Sequence, residues 1–178
     1  MTVQTYIILL RGVNVGGAGK LPMADLRLRL AEAGYTGAKT YIQSGNVVLQ
    51  SDKAKVAVKT DVQDVIDTHF GFRPGAIALT VDALGSAIAQ APFDVPDKKF
   101  LHIVFLDGHV TLDRDGLQQF CTSGESFHLD GDVFYLATPN GFGRSKAAEK
   151  LDKYLTADVK TARNLNSCEK ILALATSF

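Results

Sequence analysis

Twice along the 178 residues, the spacing of apolar side chains runs through one succession: strand, helix, strand, strand, helix, strand. Few folds accept that order. In the first pass, Tyr6 to Leu10 is a nearly continuous apolar run, as expected of a strand in a central position. Pro22 suits the first turn of a helix, Met23, Leu26, Leu30 and Ala33 share one face, and Gly34 supplies the stop. Two β-rich runs, 39–43 and 46–50, joined by Ser44-Gly45, predict a tight hairpin. Val58, Val62, Val65, Ile66 and Phe70 mark a second helix. Its Asp61, Asp64 and Asp67 fall on the other face as a solvated stripe rather than a metal site. Residues 75–81 close the unit as a strand.

A helical pattern over Leu84, Ile88 and Ala91 then runs into the breaker-rich segment 92–99, which predicts a connection. The second pass has a strand at 100–106, a short helix at 112–120 and a hairpin of 126–129 with 133–137 across Asp130-Gly131. A helix at 145–155 and a strand at 158–162 follow, and Leu165, Cys168, Ile171, Leu172 and Ala175 define a terminal helix. The order repeats without a residue-level repeat. The expectation is an α+β chain of two ferredoxin-like (β-α-β-β-α-β) plait subdomains in tandem plus a C-terminal helix. The subdomains are expected at 1–81 and 99–178, with the connection at 82–98.

Lys plus Arg equals Asp plus Glu at 19 each, for a formal net charge of zero. That speaks against a general polyanion binder, which is usually clearly basic, and leaves room for a local cationic pocket. With 46% hydrophobic residues the chain can bury a core, and 21% charged residues argues against disorder. Cys121 and Cys168 stand outside any zinc pattern and suit a reducing compartment. No cationic region precedes the apolar run that Arg11 ends, so the N-terminus reads as a strand and not a signal peptide. No stretch approaches the ~20 apolar residues that span a bilayer. A cytoplasmic protein without a membrane partner is expected.

Four polar clusters fall at element ends, where binding loops sit on a rigid scaffold. The first is the loop Arg11–Lys20, with Gly12, Gly16, Gly17 and Gly19 between two cations and Asn14 among them. Glycine permits φ > 0 and close backbone approach, and a helix N-terminus offers unpaired N–H groups, so such a loop can cradle an anion. It is not a P-loop: Asn14 replaces the first glycine and Leu21 the hydroxyl that would reach Mg²⁺. Nor does Gly17-Ala-Gly19 continue into a dinucleotide fingerprint. A loop that needs glycine only for its turns is the competing reading. The second cluster is Gln43-Ser44-Gly45-Asn46, the third Asn140 to Lys146 with Arg144, and the fourth Thr161 to Asn166 with Arg163 and Asn164.

Ser145 and Asn164 have a simple reading as N-caps. Arg144, Lys146 and Arg163 beside helix starts do not, because the dipole disfavours a cation there by a few tenths to ~1 kcal/mol. A bound anion reverses that penalty. Nucleophile arrangements are poor: Ser44 lacks the Gly-x-Ser-x-Gly elbow and Ser145 a Ser-x-x-Lys partner. Cys168 lies on an apolar stripe as a core thiol. The four histidines form no set, and Asp113-Arg-Asp115 and Asp130-Gly-Asp132 fall short of a calcium loop. No metal and no cofactor is predicted, and no reaction is indicated.

Arg11-Gly-Val-Asn-Val-Gly-Gly17, Leu21-Pro-Met23, Thr40-Tyr-Ile-Gln-Ser-Gly-Asn-Val-Val48, Gly143-Arg-Ser-Lys146 and Thr161-Ala-Arg-Asn-Leu-Asn166 resemble the bacterial domain-of-unknown-function family numbered 1697. The resemblance covers essentially the whole chain. It implies two plait-like subdomains and no established activity. Leu165 stands where the family pattern often has an aromatic.

The function expected is therefore binding of a small phosphate- or carboxylate-bearing molecule, a nucleotide included, in a cleft between the subdomains. Arg11, Asn14, Gly16, Gly17, Lys20, Ser44, Asn46, Arg144, Lys146, Arg163 and Asn164 are the candidate ligands. Two other readings stand beside it. A single-stranded nucleic-acid module would use aromatics on an open sheet, but the RNP1 pattern is absent and the neutral net charge disfavours it. A structural protein would pair its sheets between chains.

Overall fold

The computed structural model describes residues 2–178. It is a mixed α+β fold of antiparallel sheets with six α-helices among the described residues. Two compact units divide the chain, one running up to Gly85 together with Lys170–Phe178, the other Ser86–Glu169.

In the first unit the elements are β1 (Gln4–Leu10), α1 (Met23–Glu32), β2 (Lys39–Tyr41), β3 (Asn46–Ser51), α2 (Lys55–Phe70), β4 (Ala76–Thr80) and the start of α3 (Val81–Ala89). The strands pair in the order β2-β3-β1-β4, so the most apolar strand is central. Ile8, Leu10, Val47 and Leu49 pack with Leu26 and Leu30 of α1 and Val58, Val62 and Ile66 of α2. Ile7, Leu9 and Val48 alternate to the other face and are fully buried too. Burial on both faces is why β1 lacks the polar alternation of a half-exposed strand. Helix α1 begins one residue after Pro22, and Gly34 carries the left-handed φ that ends it. At the end of the chain, Lys39 donates to Ser177 Oγ (3.0 Å) and sits 3.9 Å above the Phe178 ring, which ties the chain end to β2.

In the second unit the order is β5 (Leu101–Asp107), β6 (Thr111–Leu112), α4 (Arg114–Gln118), β7 (Ser126–Asp130), β8 (Val133–Ala137), α5 (Lys146–Tyr154), β9 (Leu155–Thr156), β10 (Val159–Asn164) and the start of α6 (Leu165–Ala175). Its sheet pairs as β10-β5-β8-β7, and β6 and β9 make a separate two-stranded ladder that apolar spacing does not signal. Val104, Leu106, Phe134 and Leu136 pack against Leu117 of α4 and Ala147 and Leu151 of α5. No helix among the described residues is long and apolar enough to cross a membrane.

Both hairpins differ from expectation. Strand β2 stops at Tyr41, which pairs with Asn46, so the turn holds four residues, 42–45, and not the two of Ser44-Gly45. Asn46 closes this wider turn by donating from Nδ2 to Tyr41 O (2.9 Å) and Ser44 Oγ (3.0 Å). In the second unit Asp130 pairs with Val133, which moves the turn one place to Gly131-Asp132. Gly131, with φ 55°, then takes the first central position, where a two-residue turn of this kind needs glycine.

Gly45 has φ 81°, and an added Cβ would lie 2.5 Å from Val13 Cγ2 and 2.7 Å from Leu10 Cβ. Gly16 has φ 59° with nothing within 4 Å of such a Cβ. Gly45→Ala is expected to lower the unfolding free energy by about 2–4 kcal/mol, from overpacking added to strain. Gly16→Ala is expected to lose about 1 kcal/mol from strain alone. Urea midpoints of the two variants measure the difference, and equal midpoints would contradict the packing described.

Candidate functional site

The loop Arg11–Lys20 is organised by one side chain. Asn14 is itself left-handed at φ 55°. Its Nδ2 donates to Leu21 O (2.9 Å) and Gln43 O (2.8 Å), and its Oδ1 accepts from Leu21 N (2.8 Å). Its backbone N–H also reaches Gly19 O (2.9 Å). The carboxamide thus joins the loop to the first hairpin. Leu10 N donates to Gly45 O and Arg11 N to Gly75 O, each at 2.8 Å, so three loops are laced together at this end of the unit.

Asn46 is fully buried and, with Ser44, closes the turn. The polar groups of Asn14, Ser44 and Asn46 are therefore engaged within the protein. Arg11 and Lys20 are exposed with no ion-pair partner among the described residues, and Gly16 and Gly17 present open backbone beside them.

In the second unit a turn of 3₁₀ helix, Phe142–Arg144, leads into α5. Ser145 caps the helix by accepting from Ala148 N (3.1 Å), the simple reading of that residue. Asn140 Nδ2 donates to Ser123 O (2.9 Å) and fixes the preceding loop. A cavity of about 270 Å³ opens here, lined by Phe142, Gly143, Arg144, Ser145, Ala148 and Glu149. Arg144 and Lys146 are exposed, and neither has an ion-pair partner among the described residues. Glu149 is held by Lys150 at 2.7 Å, and that bond keeps its carboxyl below its ordinary range.

Glu125 is buried behind the turn and accepts from Ser123 N (2.7 Å). Burial pulls its carboxyl upward, but hydrogen bonds from the Ser123 and Glu125 amides and the Ser145 hydroxyl outweigh this and leave it lowered.

His102 on β5 packs against the Phe142 ring, tilted by 36° with centroids 4.1 Å apart. Its Nδ1 is buried with no hydrogen-bond partner, and burial brings its pKa from 6.5 down to about 4. Sequence spacing placed His102 in a strand, but its contact with Phe142 spans 40 residues and leaves no local signal.

Arg163 lies elsewhere. Ala162 packs with the cluster under α4 and α5, so Arg163, the next residue along the strand, falls on the opposite face of the sheet. It is 8% exposed and donates to Thr161 Oγ1 (2.7 Å) and Ala162 O (2.8 Å). Burial lowers its pKa to about 10. Cys168, fully buried nearby, is pushed up to about 12 by burial, as an inert core thiol is. Asn164 caps α6 by accepting from Ser167 N (2.8 Å). Within this unit Arg144 and Arg163 are thus separated by the sheet. Ile103, Phe105 and Tyr135, on the Arg163 face, are buried, and so are Ile7, Leu9 and Val48 in the first unit, so neither sheet offers an open aromatic face. Among the described residues no group of three or more His, Cys, Asp or Glu is placed to hold a metal ion.

A family model described as "Protein of unknown function (DUF1697)" matches residues 3–135. The chain is similar in structure to the conserved bacterial protein SP0830 from Streptococcus pneumoniae, with a TM-score of 0.75 and 22% identity over 98% of this chain and 99% of that one. At that identity the likeness concerns the fold alone. Among curated proteins none matches.

The buried His102 makes stability depend on pH. Between pH 6.5 and about 4 the unfolded chain binds a proton on this imidazole and the folded chain does not, so its contribution is lost as pH falls through that window. His102→Phe is expected to flatten that part of the profile by on the order of 2 kcal/mol. Urea titrations at pH 7 and pH 4.5 measure it, and an unchanged pH dependence in the variant would contradict the buried neutral imidazole.

Proposed function

We propose that this chain, which belongs to the DUF1697 family of proteins of unknown function, binds a small phosphate- or carboxylate-bearing molecule at the start of α5. The observation that carries this reading is the unpaired Arg144 on the wall of the cavity. Elsewhere Arg29, Lys53, Lys98, Lys99, Lys150 and Lys160 each have a carboxylate within 3.0 Å. Among the described residues Arg144 and Lys146 have none, and both sit at the positive end of a helix. An anion there would meet a guanidinium suited to bidentate contact, an ammonium and the first amides of the helix. Glu125 behind the turn and Glu149 on its wall oppose this, which limits the site to ligands carried mainly by Arg144.

The reading is narrower than a cleft fed by every cation singled out in the sequence, because Arg163 faces the other side of its sheet. We further read each unit as a ferredoxin-like plait. The support is the strand order: with strands numbered within the sheet they belong to, each four-stranded sheet runs 4-1-3-2 and is antiparallel throughout. A cytoplasmic location belongs to the same proposal, supported by two free thiols.

Isothermal titration with inorganic phosphate and simple phosphate monoesters tests the site. The parent should release saturable heat. Arg144→Ala should weaken binding at least about tenfold, the loss of one charge-assisted contact. Equal heats from Arg144→Ala and the parent would remove Arg144 from any anion site.

A further inference from the structure

The tip formed by the opening loop and the first hairpin carries a separate inference, independent of the Arg144 cavity. Ile42 has φ 48°, in the left-handed region that a β-branched side chain rarely enters. It is also 49% exposed, so neither backbone preference nor burial accounts for isoleucine here. Val15, on the neighbouring loop, is 65% exposed. The Asn14–Gln43 hydrogen bond lies one residue along the chain from each of them and ties their two loops together.

This tip is pinned. Tyr41 O is held by Asn46 Nδ2 and Gln43 O by Asn14 Nδ2, so Ile42 sits between two fixed carbonyls. Strain that surrounding hydrogen bonds maintain at an exposed position is a mark of a binding surface formed in advance.

The two segments that form it carry charge of one sign. Segments 11–22 and 36–50 contain no Asp or Glu. Arg11 and Lys20, without an ion-pair partner among the described residues, flank Leu10 and Leu21, whose amides are bonded into the tip. Between them Gly12, Gly16 and Gly17 have positive φ and nothing within 4 Å of an added Cβ, so the loop backbone is bare on its outer side.

We propose that this two-loop tip binds a single strand of nucleic acid. Such a strand carries one negative charge and one flat apolar face per nucleotide, a chemistry that two cations and two exposed aliphatic side chains on bare backbone can meet. Arg11 and Lys20 face phosphates, and Val15 and Ile42 pack on base faces. The contact is short and local, which reconciles it with zero net charge, and it uses loops because the sheet faces are buried.

Fluorescence anisotropy with short labelled oligouridylate and oligothymidylate strands tests the proposal, with anionic phospholipid vesicles as the comparison. Binding is expected with a slope of log K against log salt near −1.4, about 0.7 per phosphate for two contacts on a single strand. Arg11→Ala and Lys20→Ala should each remove about 0.7 of that slope. Ile42→Asn should keep or raise the thermal midpoint, since asparagine enters the left-handed region readily, and yet weaken binding about fivefold. Lys170→Ala, an exposed cation far along the chain, should bind as the parent does. The proposal is overturned by no binding of either strand at low salt, by Ile42→Asn binding as tightly as the parent, or by vesicles binding where the strands do not.

Discussion

The carboxamide of Asn14 holds the loop end of the first unit in shape. Few side chains could do so. The site requires an acceptor for Leu21 N and two donors for Leu21 O and Gln43 O, within reach of a backbone at φ 55°. Asparagine supplies both kinds of group on a short stem and tolerates the left-handed conformation. Aspartate would set a charged oxygen against two carbonyls, and glycine would reach nothing. With the backbone fixed, Leu21 and Val13 can enter the core while Arg11 and Lys20 remain outside it.

The second unit solves the same problem with separate parts. Asn140 anchors one loop, Ser145 caps α5 and Asn164 caps α6. What each cation can do follows from which side of these anchors it leaves. Arg144 leaves outward into the cavity, whereas Arg163 leaves into a buried face, where hydrogen bonds to Thr161 and Ala162 offset part of its desolvation. Two arginines with similar sequence settings, each beside a helix start, thereby have different chemistry. One remains accessible to a ligand, and the other is part of the packing.

Much of the architecture was legible in the sequence because it rests on periodicity. The run Tyr6–Leu10 announces a doubly covered strand, and Val58, Val62 and Ile66 announce the buried stripe of α2. Turn lengths were less legible, since they depend on contacts between segments. The Ile42–Gly45 turn is wide because Gly45 lies against Leu10 and Val13 and Asn46 reaches back to Tyr41, and residues 42–46 read alone show neither constraint. The ladder of β6 with β9 is too short for any period to appear. Among the site residues, the polar clusters were visible as positions, but the division of labour was not. Asn14 and Asn46 look like ligand donors until their partners are known, and Ile42, apolar and in an expected strand, gave no sign of its strained backbone.

The Asn14 clamp can be examined directly by native-state hydrogen exchange at the Leu21 amide. With Asn14 in place, Leu21 N–H is bonded and buried, and it should exchange far more slowly than the amides of Gly16 and Gly17. In Asn14→Ala its protection should collapse, with a global loss of about 2–3 kcal/mol from unsatisfied buried groups, while β1 keeps its slow exchange. Unaltered protection of Leu21 in that variant would show that something other than this side chain holds the loop, and the account of the cationic tip would fail with it.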